Sequence, residues 1–211
     1  YTEKAYLNLA RLSFEKKNYD KSKIYYENLY EMASNKGMIL EAIDGIMRSA
    51  YLTTDYQMAS EMASELLRTE KVSENQILNA HFINAKSAYE LNKVQIAIRE
   101  FGITDRLTTG ELGAESKYML ALIQFQSNKL DESENTIYEL SDKYQSYGYW
   151  VAKGFILLAD IYLKRDNVFQ AEQTLQSIID NYKGEDLLKI AQDKLNSIKP
   201  EDINETENEN E

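Results

Sequence analysis

The chain has 211 residues, with 24 Lys plus Arg against 35 Asp plus Glu, a net charge of −11, 43% apolar residues, one Pro, one His and no Cys. Without cysteine there is no disulfide framework, thiolate nucleophile or Cys-based zinc site; the lone His81 excludes sites built from two imidazoles, and the acidic balance has the wrong sign for a phosphate-backbone partner. One helix breaker, and no apolar run approaching the roughly 20 residues of a membrane span, predict an all-α chain that does not cross a bilayer.

In chain order, five predicted repeats cover about 2–37, 38–75, 76–111, 112–148 and 149–183, each a pair of helices. Their shared register is set by a small residue one turn into the second helix: Ser22, Ala59, Ala97, Ser133 and Ala171, spaced 37, 38, 36 and 38 residues apart. Apolar residues stand three positions earlier (Tyr19, Tyr56, Val94, Leu130, Val168) and four later (Tyr26, Ala63, Phe101, Ile137, Leu175), the rhythm of an amphipathic helix. Twelve positions before each anchor, inside the first helix, stand Ala10, Met47, Ala85, Ala121 and Ala159, residues that let two helices approach closely. Polar pairs at Lys17-Asn18, Thr54-Asp55, Asn92-Lys93, Asn128-Lys129 and Asp166-Asn167 read as the intervening turns, where Asn and Asp tolerate turn conformations and can cap the next helix.

Repeat 3 is the least regular, with His81 and Asn84 where other copies are apolar and Gly102 inside its second helix, so a bend or early opening is expected there. Residues 184–199 read as one more amphipathic helix that covers the last exposed face of the array. Beyond Pro200 the segment to residue 211 has six acidic residues and no basic one, reads as disordered, and leaves the remainder at −5. Because the sequence opens on Tyr1 rather than Met, it reads as a processed protein or an excised piece, with any targeting segment already lost.

These repeats resemble the tetratricopeptide repeat (TPR), most clearly in YLNLARLSFEKKNYDKSKIYY (6–26) and FILLADIYLKRDNVFQAEQTL (155–175). The resemblance covers nearly all of residues 2–182 and implies a right-handed α-solenoid of about five repeats with a capping helix, a protein-interaction scaffold rather than an enzyme. The copies depart from the family in lacking its closing proline, in running two to four residues long, and in carrying Leu29, Leu66, Thr104, Leu140 and Ile178 where the family has a small residue. Phrases such as SIIDNY (177–182) are similar to repeats of bacterial cell-envelope TPR proteins, the outer-membrane assembly lipoproteins and the Tol-Pal coordinator among them. That likeness alone favours a periplasmic or envelope location over a cytoplasmic one.

The TPR register implies that the first helices line a concave groove. The residue after the early small position gives Arg11, Arg48, Lys86, Leu122 and Asp160; three further on come Phe14, Tyr51, Tyr89, Phe125 and Leu163, and Phe82 and Tyr118 complete the candidate ligand groove. Interleaved cations and aromatics suit a protein or peptide ligand, an extended peptide or an acidic helix. The same residues also suit packing and salt bridges within a repeat, and both readings stand. Leu7 occupies a place where the chaperone-tail clamp of some TPR domains needs a basic residue, so the resemblance does not extend to that ligand.

No phosphate-cradling Gly loop and no H-E-x-x-H motif occurs, and no cofactor or metal is expected. His81 reads as a packing residue, and Asp131, Glu132 and Glu134 as first-turn acids that complement a helix dipole. Tyr6, Tyr19, Tyr26, Tyr56 and Tyr162 read as inter-helix core; Tyr144, Tyr147, Tyr149 and Trp150 around Gly148 read as a packed elbow in preference to a sticky patch. The sequon at Asn204 matters only in a glycosylating secretory pathway. Against the scaffold stand a helical-repeat enzyme using paired carboxylates, for which Glu41, Asp44, Glu115 and Asp160 are scattered candidates, a structural spacer with no groove ligand, and a base-reading pentatricopeptide-type array, which the charge disfavours.

Overall fold

The computed structural model describes residues 2–198; the acidic segment beyond Pro200, its sequon and Lys199 lie outside them. Among the described residues are eleven α-helices and no strand: α1 (Glu3–Glu15), α2 (Tyr19–Met32), α3 (Lys36–Leu52), α4 (Tyr56–Leu66), α5 (Glu74–Glu90), α6 (Val94–Leu107), α7 (Glu111–Gln126), α8 (Leu130–Lys143), α9 (Gly148–Lys164), α10 (Val168–Asn181) and α11 (Glu185–Ile198). None of these helices is long and apolar enough to cross a membrane. The chain divides into two compact units at Ile123–Gln124, inside α7.

Within each unit, close packing of paired helices goes with buried, mostly small residues at the repeat positions. Ala10, Met47, Ala85, Ala121 and Ala159 of the first helices, and Ser22, Ala59, Ala97, Ser133 and Ala171 of the second, are all 0% exposed. One helical turn beyond the second set, Tyr26, Ala63, Phe101, Ile137 and Leu175 are buried, and so are the residues three further on, Leu29, Leu66, Thr104, Leu140 and Ile178. The apolar residues that open the second helices behave differently: Val94 and Val168 are 38% and 45% exposed, and Tyr19 and Tyr56 are half-buried. They stand at the hairpin tip, where the facing helix has already ended.

Each hairpin closes in the same way. Lys17, Thr54, Asn92, Asn128 and Asp166 take left-handed φ values of 56–59°. The amide of the next residue reaches back along the first helix, from Asn18 to the Ser13 carbonyl at 2.8 Å and likewise from Asp55, Lys93, Lys129 and Asn167 to Ala50, Ala88, Gln124 and Tyr162. That is the Schellman closure, here made without glycine. The same residue then stands at the N-cap of the second helix, and Asn18, Asp55 and Asn167 accept a backbone N–H there through their side chains. Lys93 and Lys129 offer no such oxygen, so α6 and α8 start without a side-chain cap; the asparagines of those turns serve the left-handed position instead.

In the first unit, Ala10, Tyr26, Leu29, Ala42 and Ile46 join α1, α2 and α3 in one apolar cluster, and Met47, Ala59, Ala63, Leu66 and Ile83 carry it on through α4 and α5. Helix α6 runs unbroken through Gly102. In the second unit Leu187, Ala191 and Leu195 of α11 share one apolar cluster with Ala171, Leu175 and Ile178 of α10.

Candidate functional site

The first helices α1, α3 and α5 present equivalent positions on one repeated face, and the basic residues there are not free. Arg11 grips Glu41 of α3 through two parallel bonds, Nε to Oε1 at 2.5 Å and Nη2 to Oε2 at 2.7 Å. Lys86 Nζ meets Glu115 Oε1 of α7 at 2.8 Å. Burial works against the Lys86 charge, but the hydrogen bond and field of Glu115 outweigh it and hold the ammonium above its ordinary pKa. The expected basic stripe is therefore largely neutralised, because each of these two cations meets an acid supplied by the following first helix.

Arg48 differs. Its guanidinium lies 4.4 Å from the centre of the Phe14 ring, a cation–π stack, and its ion pair with Asp44, one turn back on its own helix, is a loose 3.6 Å. Burial raises the Asp44 carboxyl above the ordinary range despite that neighbour. Arg11, Phe14, Tyr26, Glu41, Asp44 and Arg48 surround a depression of about 220 Å³ that Gly45 also lines.

The aromatic stripe is half-buried rather than exposed. The Phe14 ring packs edge-on against Tyr19 at 5.1 Å and the Tyr51 ring stands 6.2 Å from Tyr56, so each pair bridges the tip of its own hairpin. Burial pushes the Tyr51 hydroxyl up, with the charges of Lys86 and Glu115 acting on it as well. Tyr89 is likewise half-buried. Phe82 and Tyr118, by contrast, are 8% exposed and sit inside the packed body, because they fall on the helix face turned toward neighbouring helices. Phe125 belongs to the second unit, where Lys164 Nζ stands 4.1 Å from its ring centre.

Other clusters named from the sequence resolve into structural pairs. Glu134 takes Arg165 Nη1 at 2.5 Å and the hydroxyls of Tyr138 and Tyr162 at 3.1 Å each, and Arg165 also binds Asp131. These acids therefore do more than complement a helix start: they tie α8 to α9, and no sequence signal within α8 announces it. Asp160 holds Lys194 of α11 at 2.5 Å. His81 Nδ1 lies 2.6 Å from the buried Glu100, which Arg99 also contacts. Of the tyrosines read as core, Tyr26 is buried while Tyr6, Tyr19, Tyr56 and Tyr162 are half-buried; in the elbow Tyr144 is buried and Tyr149 stacks edge-on to Trp150 at 5.0 Å.

The repeat pattern alone did not single out the partners of the basic residues. Glu41 and Glu115 each stand six residues before the early small-position residue of their own helix, Met47 and Ala121, a shared register that the repeat alignment contains.

Residues 155–184 match the family model described as tetratricopeptide repeat. No curated protein matches the chain in sequence. Among solved structures, it is similar to YrrB, described as a TPR protein with an unusual peptide-binding site, with a TM-score of 0.66 at 16% identity over 89% of this chain and 90% of that one. It is also similar to MamA residues 41 to the end from Desulfovibrio magneticus RS-1, with a TM-score of 0.69 at 13% identity over 84% and 93%. A third similar structure is TTC0263, a thermophilic TPR protein of Thermus thermophilus, with a TM-score of 0.55 at 15% identity over 92% and 99%. Residues 155–184 thus resemble a tetratricopeptide repeat, and the chain has the all-α helical-repeat fold seen in the solved tetratricopeptide-repeat proteins to which it is similar.

Proposed function

We propose that the chain is a non-catalytic interaction module that binds an extended peptide across the first-helix face of its N-terminal unit. The observation that carries this reading is the recurrence of Phe14, Tyr51 and Tyr89 at one register, each ring half-buried and still partly open, beside a run of paired charges. Half-buried aromatics supply apolar area at low entropic cost, and neighbouring ion pairs select register more than they add affinity. The likeness to YrrB adds support. The neutralised stripe argues against a ligand drawn in by bulk positive charge.

A library of fluorescein-labelled decapeptides, titrated against the protein by anisotropy, tests this. Binding pools are expected, and combined Phe14→Ala, Tyr51→Ala and Tyr89→Ala should weaken them about tenfold or more with helicity retained. Equal binding by that variant, or no binding pool, overturns the reading. The likeness of residues 177–182 to envelope repeats supports a cell-envelope setting; recovery of the source protein in the cytoplasmic fraction would remove it.

A further inference from the structure

The ion pairs of the first-helix face form a ladder with a strict register. Each rung joins the residue after one small position to the residue six before the next: Arg11, after Ala10, takes Glu41, before Met47, and Lys86, after Ala85, takes Glu115, before Ala121. Between them the same rule pairs Arg48 with position 79, and position 79 is Asn. An amide cannot neutralise a guanidinium. Asn79 instead turns its side-chain amide to the Asn75 carbonyl one turn back, at 2.8 Å. Arg48 is left with the 3.6 Å contact to Asp44, its side chain 47% exposed and braced on the Phe14 ring.

Building on the peptide-binding reading above, we infer that Arg48 is the anion anchor of this face and that the ligand is an extended peptide placing one carboxylate against its guanidinium. The Arg48 guanidinium carbon lies over the Phe14 ring, and a guanidinium braced there by one ring can still offer N–H groups to a carboxylate in a planar, two-bonded contact. Arg11 already spends that geometry on Glu41, and Lys86 has a short, half-buried partner. One acidic residue at one place is thus the expected requirement, set by the missing rung. The raised pKa of Asp44 agrees, since the loose contact with Arg48 does not offset its desolvation.

The decapeptide library, amidated at the C-terminus and fixed at each position in turn as Glu, Gln, Lys or Leu, reads this directly. One position is expected to prefer Glu over Gln by about tenfold. Arg48→Gln should erase that preference while leaving apolar preferences in place. Asn79→Glu should erase it as well, by closing the open rung without touching Arg48, so a folding defect in one variant does not decide the matter. A matched set with free C-termini separates a side-chain carboxylate from a terminal one, and preference for the terminal group alone overturns the side-chain assignment. Binding pools without a Glu preference, or a preference that survives both substitutions, overturn the anchor while the peptide-binding reading stands; absence of any binding pool overturns both.

Discussion

Tyr26 of α2 packs directly onto the backbone of Gly45 in α3: a β-carbon at position 45 would fall 2.4 Å from Cδ2 and Cε2 of the ring. Tyr26 is buried, so the first hairpin and the helix that follows it are matched in shape at this point. Gly45→Ala should therefore lower stability by about 1–3 kcal/mol through overpacking, more than the roughly 1 kcal/mol that alanine gains in helix propensity. Urea unfolding monitored by circular dichroism checks it; an unchanged or raised midpoint contradicts it.

Thr54 is the one β-branched residue holding the left-handed position of a hairpin closure, at φ 59°. A branched side chain is the least suited to that conformation, and Asn tolerates it. Thr54 is exposed, so its replacement disturbs no packing. Thr54→Asn is expected to stabilise the chain by about 0.5–1 kcal/mol, and Asn92→Thr to destabilise it by a similar amount. Thermal melts of the two variants should move in opposite directions.

Burial works to raise the pKa of Glu134, but hydrogen bonds from Arg165, Tyr138 and Tyr162 together hold it below the ordinary carboxylate range. A carboxyl depressed on folding contributes stability above its unfolded pKa, about 4.3, and that contribution drains away as pH falls through the lower folded value. Wild-type stability should accordingly drop on the acid side of about pH 4. Glu134→Gln should be less stable near neutrality and show a flatter acid limb, measured as denaturation midpoints from about pH 7 down to about pH 3.

Ser22 Oγ donates to the Ala10 carbonyl at 3.0 Å and accepts from Ser49 Oγ at 3.2 Å, all in a fully buried setting. Ser22→Ala leaves the Ser49 hydroxyl short of that partner and should cost about 1–3 kcal/mol. Adding Ser49→Ala removes the stranded hydroxyl, so the double variant should recover part of the loss. A double-mutant cycle by chemical denaturation measures the coupling.

What was legible in the sequence is whatever the repeat register dictates. The small residues from Ala10 to Ala171 are buried because helix approach demands it, and the turn pairs sit where the hairpins close. The candidate groove was less legible because one residue type at one register serves two physical ends. Phe82 and Tyr118 face inward, and Arg11 and Lys86 are spent on acids some 30 residues away, a pairing that needs two repeats aligned at once.

Every hairpin of the five repeats, among the described residues, is joined by three residues, 16–18, 53–55, 91–93, 127–129 and 165–167, whereas the segments between hairpins, such as 33–35, 67–73 and 144–147, vary in length. A linker whose middle residue is left-handed, and whose last residue both ends one helix and begins the next, has no slack to accept an insertion. Each hairpin that lies within one unit is thus a fixed cassette, and length change is confined to the seams between cassettes. A reporter loop or epitope grafted at 67–73 should leave the array folded, while the same graft at 53–55 would have to undo a closure that all five hairpins share.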